Sequence, residues 1–107
     1  MKRVEQMEIN NECERVWNDM LSQFVLCREP ERLRTCKAYV FDTGNYYVLQ
    51  SYGTLVACID KCNNTLYDML RKVYGYTNTS AQHISKFSKD YGAYCWGCDA
   101  IYRWREV

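Results

Sequence analysis

Between residues 13 and 24 the apolar side chains Cys13, Val16, Trp17, Met20, Leu21 and Phe24 recur at helical spacing, and from Lys37 onward that rhythm is lost. A chain that carries a helical block and then a strand-like block is confined to an α+β fold, because each element must bury its apolar face against the other. The spacing predicts a helix over about 11–28, with Asn10 or Asn11 as N-cap and Pro30 beyond its end. Arg28 to Arg34 is dominated by charge and reads as a solvated connection.

After Lys37 come Ala38-Tyr39-Val40-Phe41, then Tyr46 to Tyr52, then Thr54 to Asp60, separated by Asp42-Thr43-Gly44-Asn45 and by Gly53. β-branched and aromatic runs joined by Gly, Asn and Asp predict an antiparallel meander. Residues 66–74 fit both periods and are read as a strand over 65–69 followed by irregular chain. Thr79-Ser80-Ala81-Gln82 has the form of a capping box. It predicts a second helix over 79–91, with Ile84, Phe87 and Tyr91 on one face and Gly92 ending it in a left-handed conformation. Ala100 to Arg105 alternates and closes the chain as a strand. The expectation is an N-terminal amphipathic helix packed on a small antiparallel sheet of three to five strands, with a second helix near 79–91.

The 107 residues fit a single domain over 1–107, and one Pro and five Gly leave no linker to divide it. No stretch approaches the roughly 18 to 20 apolar residues of a membrane span, and the first residues lack the apolar core of a signal peptide. Seven cysteines, an odd number, argue against a secreted disulfide framework. The expected location is the cytoplasm. The net charge is +1, too small for a simple polyanion coat, but residues 71–107 hold six Lys and Arg against three Asp and Glu.

Two blocks stand out: Ser51-Tyr52-Gly53-Thr54-Leu55-Val56-Ala57, and Tyr76-Thr77-Asn78-Thr79-Ser80-Ala81-Gln82-His83-Ile84-Ser85-Lys86-Phe87. Their order resembles a group of small uncharacterised proteins from phages, archaea and gut bacteria. Those carry a strand reading Ser-Tyr-Asn-Thr-x-Val-Ala, a hairpin, and then Tyr-Ser-x-Thr-Thr-x-Lys-His opening a helix. Gly53 stands where the group has Asn, and Gln82 where it has Lys. The resemblance covers about 45–90 and implies a fold and a phage or mobile-element setting. Small proteins of that setting without catalytic residues often inhibit host defence, anti-CRISPR proteins among them.

Four constellations bear on chemistry. Cys95-Trp96-Gly97-Cys98 follows a helix and precedes a strand, the reverse of the strand-to-helix order in which a redox Cys-x-x-Cys is activated. Cys58, Cys62, Cys95 and Cys98 supply the four thiolates of a structural zinc site; the competing reading is a set of reduced core and surface thiols with no cofactor. His83, the single histidine, has no nucleophile or orienting carboxylate beside it in sequence and reads as a helix-surface or cap contact. Tyr102-Arg103-Trp104-Arg105 interleaves aromatics with cations: core if Tyr102 and Trp104 pack on the first helix, a stacking surface if they do not.

Ten tyrosines are more than a small interior absorbs. Tyr joins large contact area to a polar tip, the combination favoured at interfaces. The sequence therefore points to a non-enzymatic binding protein that inhibits a host defence nuclease of CRISPR type or its guide complex. Tyr46, Tyr52, Tyr74, Tyr76, His83, Lys86, Arg103 and Arg105 are the contact candidates. The alternative is a small nucleic-acid-binding accessory domain; direct nucleic-acid contact and self-association are compatible with both.

Overall fold

A computed structural model describes residues 3–24, 29–93 and 97–107. Helix α1 spans Arg3–Gln23. Among the described residues six strands follow: β1 (Glu31–Arg32), β2 (Ala38–Asp42), β3 (Tyr46–Ser51), β4 (Thr54–Asp60), β5 (Thr65–Asp68) and β6 (Ala100–Arg103). Between β5 and β6 lie a short helix α2 (Leu70–Val73) and the longer α3 (Asn78–Tyr91). The fold is α+β. No helix among the described residues is long and apolar enough to cross a membrane.

The strands lie in the sheet in chain order. β1 to β5 are antiparallel neighbours, as tight turns between them require. β6 pairs parallel to β5, with Leu66 opposite Ile101. This corrects the purely antiparallel expectation, and six strands exceed the three to five expected. The cause is α3: a helix between two strands carries the chain back along the sheet, so the next strand runs in the same direction.

Successive side chains of a strand point to opposite faces, and both faces are covered here. Tyr46, Val48, Cys58 and Tyr67 pack with Cys13, Val16, Trp17 and Met20 of α1. Leu49, Ile59 and Leu66 pack with Ile84 and Phe87 of α3 on the other side. Burial of each such side chain contributes about 1.5–3 kcal/mol. Tyr102 sits edge-on to Tyr67, and Trp104 packs against the α1 cluster while its Nε1 donates to Glu14 at 3.0 Å. The core reading of Trp104 therefore holds.

Three further boundaries differ from the expectation. α1 begins some eight residues earlier than about 11, because Gln6 and Asn10 extend its buried face as polar residues. Gln6 Nε2 donates to Asn10 Oδ1 (2.7 Å) and to the Arg103 carbonyl (3.0 Å); Asn10 accepts from the Arg105 amide (3.0 Å) and donates to its carbonyl (2.6 Å). Residues 25–28, which the expected helix included, lie outside the described residues. In the ambiguous stretch, the strand stops at Asp68 and one helical turn follows, so each period holds for half of it.

The N-cap of α3 is Thr77, whose Oγ1 accepts from the Ser80 amide at 3.2 Å; the capping box placed at Thr79 is two residues late. Gly92 is not left-handed but extended, at φ −64° and ψ 156°. Its need for glycine is spatial: a Cβ there would stand 2.5 Å from the Gly97 carbonyl carbon and 2.6 Å from the Ser88 oxygen.

Candidate functional site

The two sequence blocks meet in space. Ser51, the last residue of β3, is paired with Thr54, and Tyr52-Gly53 form the turn between them. Both turn residues have positive φ, 51° and 84°, as a two-residue hairpin with right-handed strand twist demands. Gly or Asn suits the second position, which accounts for Gly53 standing where the resembled group has Asn. Tyr suits the first position poorly, since a bulky L-residue there costs of order 1–3 kcal/mol.

Behind the turn, the Ser51 hydroxyl lies 2.9 Å from His83 Nδ1 and 3.0 Å from the Ser80 hydroxyl, joining the hairpin to the first turns of α3. Ser51 and Ser80 are fully buried and His83 is 4% exposed. Burial, then the nearby Lys86 charge, holds the His83 pKa below its ordinary value. Sequence spacing showed no such Ser–His pair. Its third member is a hydroxyl rather than a carboxylate, and its hydroxyls are sealed from solvent. In this arrangement the group braces the fold and presents no nucleophile.

The placement of the contact candidates divides them. Tyr46 is 6% exposed, and its hydroxyl donates to Asp19 Oδ2 at 2.6 Å; burial and that carboxylate push its pKa far up. Tyr46 and His83 are thus interior, a correction to their reading as contacts and to His83 as a helix-surface residue. Alternation placed Tyr46 on the face that α1 covers, which a strand run alone does not reveal. Tyr52 is 49% exposed, with its ring 5.5 Å from the His83 ring. Tyr74 and Tyr76 are also exposed, as are Tyr39 and Tyr102.

Tyr76 precedes α3, with its hydroxyl donating to Asn78 Oδ1 at 3.0 Å and the Arg71 guanidinium 4.8 Å from its ring centre. Tyr52 and Tyr76 therefore flank the N-terminal half of α3. Lys86 is half-buried and donates to Cys36 Sγ at 3.6 Å. Arg105 has an exposed side chain on the tail that α1 holds, apart from the tyrosines.

Arg103 and Tyr76 share a groove of about 430 Å³ between α3 and β6. Leu66, Leu70, Ile84 and Ile101 give it an apolar floor, and Arg71, Lys89 and Arg103 bring three cations to it against the single carboxylate of Asp68. Asp68 is buried and already satisfied: Oδ1 accepts from the Leu70 amide (3.0 Å) and Oδ2 from Arg103 Nε (2.9 Å). Lys89 has no hydrogen-bond or ion-pair partner among the described residues. Sequence reasoning missed Arg71, Ser85 and Ile101, and it set Lys89, with Lys86, as a phosphate contact beside Tyr102 and Trp104 rather than beside Tyr76. The basic balance of 71–107 was the available signal, but only the parallel placement of β6 brings Arg103 beside Lys89.

The cysteines are spread through the molecule. Cys58 is fully buried on the α1 side, and burial raises its thiol pKa strongly; Cys62 is exposed in the following turn. Cys98 is half-buried, and Cys95 lies outside the described residues. No group of three or more His, Cys, Asp or Glu among the described residues is placed to hold a metal ion.

No curated protein and no solved structure matches the chain. Residues 29–101 match a family of unknown function, DUF8033, a span that contains β1 to β5, the first half of β6 and both sequence blocks. With most of its length inside that match, the chain belongs to the DUF8033 family.

Proposed function

We propose that this protein acts by contact alone, binding and inhibiting a host defence nuclease of CRISPR type, or its guide complex, in the cytoplasm of a bacterium that carries the phage or mobile element. Tyr52 is the observation that carries the reading. A large aromatic ring occupies a turn position that favours Gly or Asn, at a cost to the fold, and half of it is left in solvent. Strain retained at an exposed side chain is a pointer to a role outside folding. Tyr74 and Tyr76 extend the same end of the molecule, and large rigid rings with polar tips are the side chains that dominate interfaces.

The test is protection of a plasmid or phage across a panel of CRISPR interference types. The protein protects against at least one type, and the Tyr52→Ala/Tyr76→Ala double variant, folded by circular dichroism, protects at least tenfold less. Absence of protection across the panel refutes the proposal.

A further inference from the structure

We infer that the groove between α3 and β6 binds single-stranded nucleic acid, seating one nucleotide with its base against Tyr76 and the apolar floor and its phosphates among Arg71, Lys89 and Arg103. This goes beyond the inhibitor reading and does not rest on it, because the groove's chemistry is independent of any defence target.

Electrostatics gives the sign of the ligand. Asp68 spends its charge on Arg103 and on a backbone amide inside the protein, so it does not offset Arg71 or Lys89. Lys89 is exposed and unpaired among the described residues. The carboxylates of Glu5, Glu8 and Glu12 line a separate groove with Tyr102, on the other face of β6. A polyanion is thus attracted to the α3 side of this strand and repelled from the α1 side.

Shape and surface give the class. Tyr76 is 53% exposed, and the Arg71 guanidinium stands over one face of its ring, 4.8 Å from the centre, so a base stacks on the opposite face. Successive bases stack on such rings in single-strand binders, whereas the carboxylates of an acidic peptide have no use for a flat ring and an apolar floor. A volume of about 430 Å³ falls within the ordinary range of small-ligand sites.

The test is fluorescence anisotropy with a labelled oligouridylate and an oligothymidylate of equal length at low salt. The wild-type protein binds at least one of them. With the two phosphates that flank one seated nucleotide neutralised, the plot of log K against log salt has a slope of about −1.4. Tyr76→Ala weakens binding roughly 5- to 100-fold, the effect of losing one stacked base. Lys89→Ala lowers affinity and makes the slope shallower by about 0.7. Arg15→Ala, on the exposed face of α1, is the control and leaves both unchanged.

Both Tyr76 and Lys89 are exposed, so their variants retain the fold, and circular dichroism checks this. Four results overturn the inference: no binding at low salt, equal loss with Arg15→Ala and Lys89→Ala, equal competition by a polyglutamate peptide, or equal competition by free uridine monophosphate. Failure here leaves the interference panel untouched, and failure there leaves the groove untouched.

Discussion

Ser51 Oγ stands 2.9 Å from His83 Nδ1, and with its 3.0 Å contact to the Ser80 hydroxyl this ties the β3–β4 hairpin to α3 in a fully enclosed setting. Removing the hydroxyl leaves both His83 and Ser80 short of a partner in the interior. Ser51→Ala should therefore destabilise the protein by about 1–3 kcal/mol, measured by urea unfolding. A change within experimental error would mean that the imidazole finds another partner.

The same histidine makes stability depend on pH. Its pKa is lowered in the folded state, so the unfolded chain takes up its proton first as pH falls. The contribution is fully present above the ordinary value of 6.5 and is lost as pH drops through the lower folded value. Glu12, Glu14 and Asp90, also lowered, act in the same direction at more acidic pH. His83→Gln should flatten the stability curve just below pH 6.5 and leave the more acidic limb in place. Parallel curves for the two proteins would contradict this.

Tyr52 offers a separation of stability from binding. Tyr52→Asn places a residue that tolerates positive φ in the turn, while giving up the ring contact with His83, and the two effects offset each other. The variant should unfold within about 1 kcal/mol of wild type. Its activity in the interference panel should nevertheless be lost. Large destabilisation would assign the ring to the core instead.

Thiol reactivity should follow burial. Cys13, whose pKa is pushed up to about 12 by burial and the nearby carboxylates, and Cys58, raised further, are poor nucleophiles in the folded protein. Iodoacetamide at pH 8, read by mass spectrometry, should label Cys62 promptly and reach Cys13 and Cys58 only in denaturant. Prompt labelling of Cys58 would place it outside the α1-side core.

How far the sequence could be read depends on which groups do the packing. Where apolar side chains pack, the period is faithful: Cys13, Val16, Trp17 and Met20 all lie in the core, and β2, β3 and β4 lie where their β-prone runs fall. Where polar groups pack, it fails. Gln6 and Asn10 look like solvated residues or a cap until the tail they hold, near Arg103 and Arg105, is in place. The parallel direction of β6 is a fact about its neighbour and not about its own residues. For that reason the basic groove escaped notice although Arg103 did not. Tyr46 and Tyr52 are six positions apart in one aromatic run; one is bonded to Asp19 inside the fold and the other is strained at its surface.

Nitration of the free protein by tetranitromethane, mapped residue by residue, tests most directly whether rings beyond those the interior needs are presented to solvent. Tyr52, Tyr74 and Tyr76 should be modified readily. Tyr46 and Tyr67 should resist, being buried with their phenol pKa values raised, that of Tyr67 to about 12. Protection of Tyr52, Tyr74 and Tyr76 to the level of Tyr46 would contradict the account, because the rings assigned to a partner would then be interior.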